Sequence, residues 1–221
     1  MIIVTSLSPS HSNAANQQAA IDSWQGMGDC YSLNSPDEDV NGFTDIEIIP
    51  TYKTVLDLLG KRCVNINAMI DLAISKRDDL LIINSDIILC DPVEFKPDGI
   101  TMLSRYDYLH DPIESKIFAA GFDVFHIPYK FLAMFPPSVY AMGVAWWDYW
   151  IPYRAILAGV PLYWPQGKHA LHKLHGTQYS QAEWLYIGDY FKWEFKFDRN
   201  LNIGQMATKI LSKIQQRAIR I

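Results

Sequence analysis

One segment constrains the fold of this chain more than any other, the aliphatic run Leu80–Ile83 that leads directly into Asn84, Ser85 and Asp86. A short continuous apolar run predicts a strand that is buried on both faces of a parallel sheet. In open α/β sheets, ligands bind at the carboxyl ends of such strands. The triplet 84–86 therefore stands where a carboxylate could hold a divalent cation with oxygen ligands. The same residue types are ordinary turn formers, so the triplet alone is equally well explained as a turn.

The first 90 residues alternate predicted strands and helices. Three strands are expected before the central one, at residues 2–5, 30–33 and 46–49. A helix capped by Ser12 or Asn13 is expected to end near Trp24, and an apolar stripe predicts a second helix over 67–75. Alternation of this kind predicts an α/β fold with a largely parallel sheet.

The second half of the chain is richer in aromatic residues. Strands are expected near 100–104 and 121–127, and a helix from about residue 205. Six of the seven tryptophans follow residue 140, which would suit a carbohydrate face, although core packing is the favoured explanation for each one. The last helix carries three basic residues on one face, Lys209, Lys213 and Arg217. A solvated face explains them better than contact with an anionic membrane.

Composition and charge exclude several classes of protein. A length of 221 residues suits a single domain, and a net charge of -5 argues against a nucleic-acid partner, which needs a basic surface. No apolar run approaches the length of about 18–20 residues that spans a bilayer, and the N-terminus does not resemble a signal peptide. Three widely spaced cysteines form no zinc or disulfide pattern, so a cytoplasmic location is expected.

The triplet 84–86, the strand before it and the segment 64–68 resemble the matching parts of nucleotide-sugar glycosyltransferases of the GT-A fold, including small virus-encoded enzymes of the chlorella-virus type. The resemblance covers about residues 1–180. It implies one domain over 1–221, with a mixed central sheet and helices on both faces. Its parts would be a Rossmann-like nucleotide-sugar-binding half (about 1–105), an acceptor half (about 106–200) and a C-terminal helix (about 205–221).

In this family an Asp-X-Asp motif binds a divalent metal and the donor diphosphate. The resemblance assigns that motif to residues 84–86, with Asn84 in place of the first Asp and Asp86 as the metal-binding carboxylate. A later histidine completes the metal site in many members, which points first to His175 and second to His172. The implied cofactor is Mn²⁺ or Mg²⁺, and a ligand set of carboxylate and imidazole suits Mn²⁺. A solvent-exposed His-rich loop is the alternative explanation.

The resemblance also implies the residues that bind the donor and perform the transfer. Those expected to bind the nucleotide sugar are Thr5, Ser6, Asn67, Asn84, Ser85 and Arg105. Arg105 could equally form a surface ion pair with Asp107. Asp148 is the expected base, because an acceptor hydroxyl must lose its proton as it attacks, and an apolar setting makes a carboxylate a better base. Asp123 is expected to accept hydrogen bonds from sugar hydroxyls.

The implied activity is metal-dependent transfer of a sugar from a nucleoside diphosphate donor, with UDP-sugars first, to a hydroxyl of a glycan or other acceptor. The sequence does not distinguish the bases of UDP, GDP and dTDP donors. A hydrolase or phosphoesterase that uses Asp86 with His169, His172 and His175 is one alternative, although only Asp91 lies near as a further carboxylate. A carbohydrate-binding protein without catalysis is the other.

Overall fold

The structure, a computed structural model, describes residues 1–9, 14–176 and 179–221. The expected helix caps Ser12 and Asn13 lie outside the described residues. The strands are β1 (Ile2–Thr5), β2 (Asp29–Asn34), β3 (Glu47–Pro50), β4 (Leu80–Ile83), β5 (Ile87–Leu89), β6 (Ile100–Leu103), β7 (Arg105–Tyr108), β8 (Lys116–Ile117), β9 (Val124–Ile127), β10 (Leu162–Trp164), β11 (Ala170–Lys173) and β12 (Ile219–Arg220). The α-helices are α1 (Ala14–Trp24), α2 (Leu56–Leu59), α3 (Ile66–Lys76), α4 (Tyr129–Leu132), α5 (Trp147–Leu157), α6 (Gln181–Glu194) and α7 (Ile203–Arg217).

A mixed eight-stranded sheet forms the centre of the fold, in the order β12-β10-β6-β9-β4-β1-β2-β3. Strand β9 runs antiparallel to both of its neighbours, β4 and β6, whereas the other adjacent strands are parallel. Strands from both halves of the sequence therefore belong to one sheet. The predicted α/β class with a mixed central sheet is confirmed.

Strand β4 is buried on both faces, as its aliphatic sequence predicts. Successive side chains of a strand point to opposite faces. Leu80 and Ile82 accordingly belong to the larger apolar core, to which α3, α5, α6 and α7 contribute buried side chains. Leu81 and Ile83 belong to a second core that contains Trp24 of α1. Helices therefore cover both faces of the sheet.

A second, four-stranded sheet has the order β5-β11-β7-β8 and was not predicted from the sequence. Strand β5 begins directly after Asp86, and its Ile87 is paired with His172 of the antiparallel strand β11. On the other side of β11, His172 is paired with Asp107 of the parallel strand β7. This small sheet thus brings the chain after residue 86 next to two polar side chains from distant parts of the sequence.

Helix α7 begins earlier than predicted because Asn202 caps it, accepting a hydrogen bond from the Gln205 amide at 2.8 Å. Of its basic residues, Lys213 packs over the ring of Tyr153, with 4.9 Å between Nζ and the ring centroid. Among the described residues, no helix combines the length and the apolar character needed to cross a membrane.

Candidate active site

The polar triplet after β4 opens into a large cavity of about 1330 Å³. Its walls come from the loop after β1, the triplet 84–86, the small sheet and the aromatic segment around α5. The cavity thus lies at the carboxyl ends of the central parallel strands, the usual location of ligand sites in α/β sheets.

Asp86, His172 and His175 converge at this cavity. The Nε2 atom of His175 lies 2.8 Å from Oδ2 of Asp86, and Nε2 of His172 lies 3.5 Å from the same oxygen. The two Nε2 atoms are 3.1 Å apart. One ligand atom from each residue lies within 4.8 Å of the others, which is the geometry of a site able to hold one metal ion.

A contact at Nδ1, the ring nitrogen that does not face Asp86, fixes the orientation of the His172 ring. Its Nδ1 atom lies 2.8 Å from Oδ1 of Asp107. Because a carboxylate only accepts, Nδ1–H donates this bond, and in the neutral ring the Nε2 lone pair then points towards Asp86. Carboxylates behind metal-binding histidines commonly play this role.

Carboxylates also raise the pKa values of both rings. Burial opposes the protonation of His172, but hydrogen bonds to Asp107 and Asp86 raise its pKa to about 9. The hydrogen bond to Asp86 likewise raises the pKa of His175. A bound cation would have to displace these ring protons, because only a neutral imidazole ligates a metal. Two imidazole nitrogens and one carboxylate oxygen fit Mn²⁺ or another transition metal better than Mg²⁺, which prefers oxygen ligands.

A second polar network lies beside this cluster and contains Asp123, Asn84 and Arg105. Oδ1 of Asp123 accepts hydrogen bonds from Asn84 Nδ2 and from Arg105 Nη1, the latter at 3.1 Å. The Nε atom of Arg105 donates to Asp107 at 2.8 Å, so the ion pair considered from the sequence is present. Burial raises the pKa of Asp123, and Arg105 opposes that rise. Arg105 therefore connects the carboxylate behind His172 to the one beside Asn84.

Asp148 lines the cavity from the first turn of α5. Desolvation, followed by the nearby charge of Asp123, raises its pKa to about 7. A carboxylate in this state can exchange a proton near neutral pH.

The residue before α5, Trp146, adopts the left-handed region with φ of +83°. This conformation is costly for a residue with a side chain, on the order of 1–3 kcal/mol. The Trp146 indole N–H donates to the Trp184 carbonyl at 2.8 Å, and its ring contacts those of Trp184 and Tyr149. Aromatic packing that includes the contact between Trp146 and Trp184 thus holds the turn that presents Asp148 to the cavity.

The remaining expected site residues divide into two groups. Ser6 and Ser85 line the cavity, whereas Thr5 and Asn67 are not among the described residues that do. Thr5 is fully buried. Asn67 donates to the Pro136 carbonyl at 2.9 Å and accepts from the Ser138 amide at 2.8 Å, so its side chain fixes a neighbouring loop.

Sequence analysis assigned no role in the site to Asp107, Lys61 or Arg62, all of which line the cavity. Lys61 pairs with Glu183 at 2.8 Å, and Arg62 pairs with Asp37 at 3.6 Å. Charged residues at the alternate positions 105 and 107 share one face of a strand. That spacing could have indicated from the sequence that Asp107 lies in the same site as Arg105.

No protein-family model matches the chain, and no curated protein matches it in sequence. Among solved structures, it is similar to the galactosyltransferase LgtC, determined in complex with donor and acceptor sugar analogues. The two are 14% identical over 59% of this chain and 58% of that chain, with a TM-score of 0.34. The aligned part is thus less than two thirds of LgtC. A likeness of this extent carries no information about substrates, and the function proposed below rests on the residues of the site.

Proposed function

We propose that this protein is a metal-dependent glycosyltransferase that moves a sugar from a nucleoside diphosphate donor to an acceptor hydroxyl. One observation carries the proposal. The group formed by Asp86, His172 and His175 and the carboxylate of Asp148, whose pKa is about 7, line the same cavity. Neutralising a diphosphate and deprotonating a hydroxyl are the two tasks that this transfer requires.

Asp86, His172 and His175 would hold one divalent ion, which when bound supplies Lewis-acid stabilisation to the departing diphosphate. The donor set favours Mn²⁺ over Mg²⁺. Asn84 stands two residues before Asp86, where the GT-A family carries its first Asp, and its amide is already engaged by Asp123. The polar groups of Ser6 and Ser85 border the same space and are assigned to the nucleotide sugar.

Asp148 is assigned the role of base. As the acceptor oxygen bonds to the anomeric carbon, its proton passes to the Asp148 carboxylate, and the bond from that carbon to the diphosphate oxygen breaks. The nucleoside diphosphate leaves with the electron pair. Direct displacement of this kind inverts the configuration at the anomeric carbon. Asp123, buried beside Arg105, is assigned to the hydroxyls of the donor sugar.

The size of the cavity supports a reaction between two substrates. A volume of about 1330 Å³ exceeds the range of about 300–1,000 Å³ that is common for sites of one small molecule. The proposed metal-binding group, formed by Asp86, His172 and His175, and the carboxylate of Asp148 both line this cavity. A donor and an acceptor therefore have room to meet between them.

The small number of candidate metal ligands favours this function over that of a two-metal phosphoesterase. Within the residues that the structure describes, neither Asp91 nor His169 belongs to the metal-binding group. Two-metal sites hold ions about 3.5–4 Å apart and need additional bridging ligands. One ion beside a large cavity is better suited to the diphosphate of a nucleotide sugar.

A thermal-shift panel of UDP, GDP, CDP and dTDP, each with Mn²⁺, with Mg²⁺ and with neither ion, tests the proposed function. A ligand that binds only the native state raises its melting temperature. At a hundred times its dissociation constant, one nucleotide should raise Tm by on the order of 5 °C with Mn²⁺. The shift should be smaller with Mg²⁺ and smallest without metal. Equal shifts in the absence of metal, or none with any nucleotide, would contradict the proposal.

Asp107→Asn is expected to weaken Mn²⁺ binding by about 10–100-fold, because it removes the charge that fixes the His172 ring. Electron paramagnetic resonance of free Mn²⁺ during a titration measures this affinity directly. Asp111→Asn provides a matched control, since Asp111 is an exposed carboxylate of the same hairpin, and it accepts a hydrogen bond from the nearby Ile113 backbone amide. Equal affinity in the two variants would show that Asp107 does not support the metal site.

A further inference from the structure

The aromatic ring of Phe118 is a partly exposed apolar surface that lines the cavity beside Arg105. Its backbone amide donates to the Arg105 carbonyl at 2.9 Å, which ties the residue to the small sheet. The Arg105 guanidinium lies 4.2 Å from the ring centroid and holds the ring in place. Among the described residues, no aromatic ring stacks on Phe118. The ring is therefore fixed by the protein while part of it remains open to the cavity.

Phe118 and Asp148 meet at Gly121. A Cβ atom at Gly121 would lie 2.5 Å from Oδ2 of Asp148 and 3.2 Å from Cε1 of Phe118. The carboxylate and the ring thus occupy the space that a side chain would fill, and they are close neighbours. Glycine is required here because any larger residue would displace one of them.

The loop that carries Phe118 is also joined to the helix that carries Asp148. The hydroxyl of Tyr149, the residue after Asp148, donates to the Ala120 carbonyl at 2.6 Å. This bond and the contact at Gly121 fix the ring relative to the carboxylate. A group that lies on the ring is thereby held next to the proposed base.

We propose that the acceptor is a pyranose sugar whose apolar face stacks on Phe118, so that one of its hydroxyls reaches Asp148. This inference rests on the proposed function and names the acceptor class for the same site. A pyranose presents several C–H groups on one face, and these fit the electron-rich face of an aromatic ring. Its hydroxyls project from the edge, where a neighbouring carboxylate can accept a hydrogen bond. An acyclic alcohol has no such face.

Saturation-transfer NMR tests this inference with methyl glycosides of common hexopyranoses and, at equal concentration, the acyclic alcohols glycerol and sorbitol. The protein is saturated with Mg²⁺, which unlike Mn²⁺ is diamagnetic and does not broaden ligand signals, and with the nucleoside diphosphate that gives the largest thermal shift. At least one pyranoside should bind, with the strongest saturation on the protons of one ring face, and the acyclic alcohols should not. Phe118→Ala should weaken that binding by about tenfold. Phe118→Leu, which keeps apolar volume but lacks a flat ring, should weaken it similarly, and Phe118→Tyr should retain it.

Trp193→Ala is the matched control, because Trp193 is an aromatic residue with 71% exposure that does not line the cavity. It should bind the pyranoside as the original protein does. Normal binding by Phe118→Leu, equal binding of acyclic alcohols, or no pyranoside binding to nucleotide-loaded protein would each overturn the inference and leave the proposed function intact. Nucleotide affinity is measured on the same samples. Its absence in the unaltered protein would refute the proposed function and this inference with it.

Discussion

Asp148→Asn is expected to lower kcat by about 10²–10⁴-fold, the usual contribution of a positioned general base. The amide keeps the size and shape of the side chain but cannot take the acceptor proton. Affinity for the nucleoside diphosphate and Mn²⁺ should be unchanged, because Asp148 is not part of the metal-binding group. Product formation by this variant at the original rate would show that the base lies elsewhere or that the transfer retains configuration.

The same role predicts a pH profile for the unaltered protein. The base must be ionised, and its pKa is about 7. With Mn²⁺ at saturation, so that protonation of the proposed histidine ligands does not limit the rate, kcat/KM should fall about tenfold per pH unit below that value and level off above it. The charged and titratable groups that influence this carboxylate are Asp123, Arg105, Tyr149 and Tyr179. The residual activity of Asp148→Asn should not show this fall in kcat/KM below about pH 7.

Stability provides an independent test of Asp148. A carboxylate with a raised pKa binds more protons in the folded state than in the unfolded state, so its ionisation destabilises the fold as pH rises through about 7. Asp148→Asn removes that cost and should be more stable than the original protein at pH 8, by on the order of 2 kcal/mol after allowance for solvent in the cavity. At pH 4 the difference should largely vanish. Urea unfolding at the two pH values measures it, with Asp189→Asn on the exposed surface of α6 as control. Lower stability of Asp148→Asn at pH 8 would contradict the raised pKa.

Asp86→Ala is expected to remove the metal dependence of nucleotide binding. Removing a residue that hydrogen-bonds to a metal-binding histidine lowers metal affinity by about 10–100-fold. Removing the proposed carboxylate ligand itself should therefore lower metal affinity by more than about a hundredfold. Isothermal titration with the nucleoside diphosphate, with and without Mn²⁺, measures the effect. The two titrations should give the same weak affinity in the variant.

Asp91→Ala is the matched control for this experiment, because Asp91 is an exposed carboxylate close in sequence but outside the metal-binding group. It should keep the Mn²⁺-dependent increase in affinity. Asp86→Asn removes the charge with a smaller change in shape and should behave as Asp86→Ala does. Metal-dependent nucleotide binding that survives in both Asp86 variants would refute the assignment of the 84–86 triplet.

Short-range patterns in the sequence predicted the central part of the fold. The aliphatic run at 80–83 required a strand buried on both faces, and the apolar stripe at 67–75 required a helix, because both signals depend only on local periodicity. The loop position of the 84–86 triplet followed from the end of that strand. The antiparallel course of β9 did not follow, because the direction in which a strand joins a sheet depends on distant parts of the chain.

The sequence indicated which residue types the candidate site would contain, but it indicated only in part how those residues are arranged. Asp86 and His175 are 89 residues apart in sequence, and no local pattern shows that they lie 2.8 Å from each other. The small sheet that joins them was not predicted, because Arg105–Tyr108, Lys116–Ile117 and Ala170–Lys173 each contain charged residues and lack an aliphatic run like that at 80–83. For the same reason Asp107 was considered only as a surface ion-pair partner. The assignment of Asn67 to the donor stays a prediction, and in the structure this side chain bonds to Pro136 and Ser138.

The pairing of β5 with β11 makes the proposed metal site depend on strand register. Asp86 directly precedes Ile87, which is paired with His172, so two of the three ligands are aligned before any ion arrives. A slip of one residue between these strands would turn His172 to the opposite face of the small sheet. The protein could then fail to bind the proposed metal ion, although every proposed ligand would still be present in its sequence. Substitutions of the apolar residues in this short ladder would therefore act as inactivating mutations, although they remove no proposed ligand.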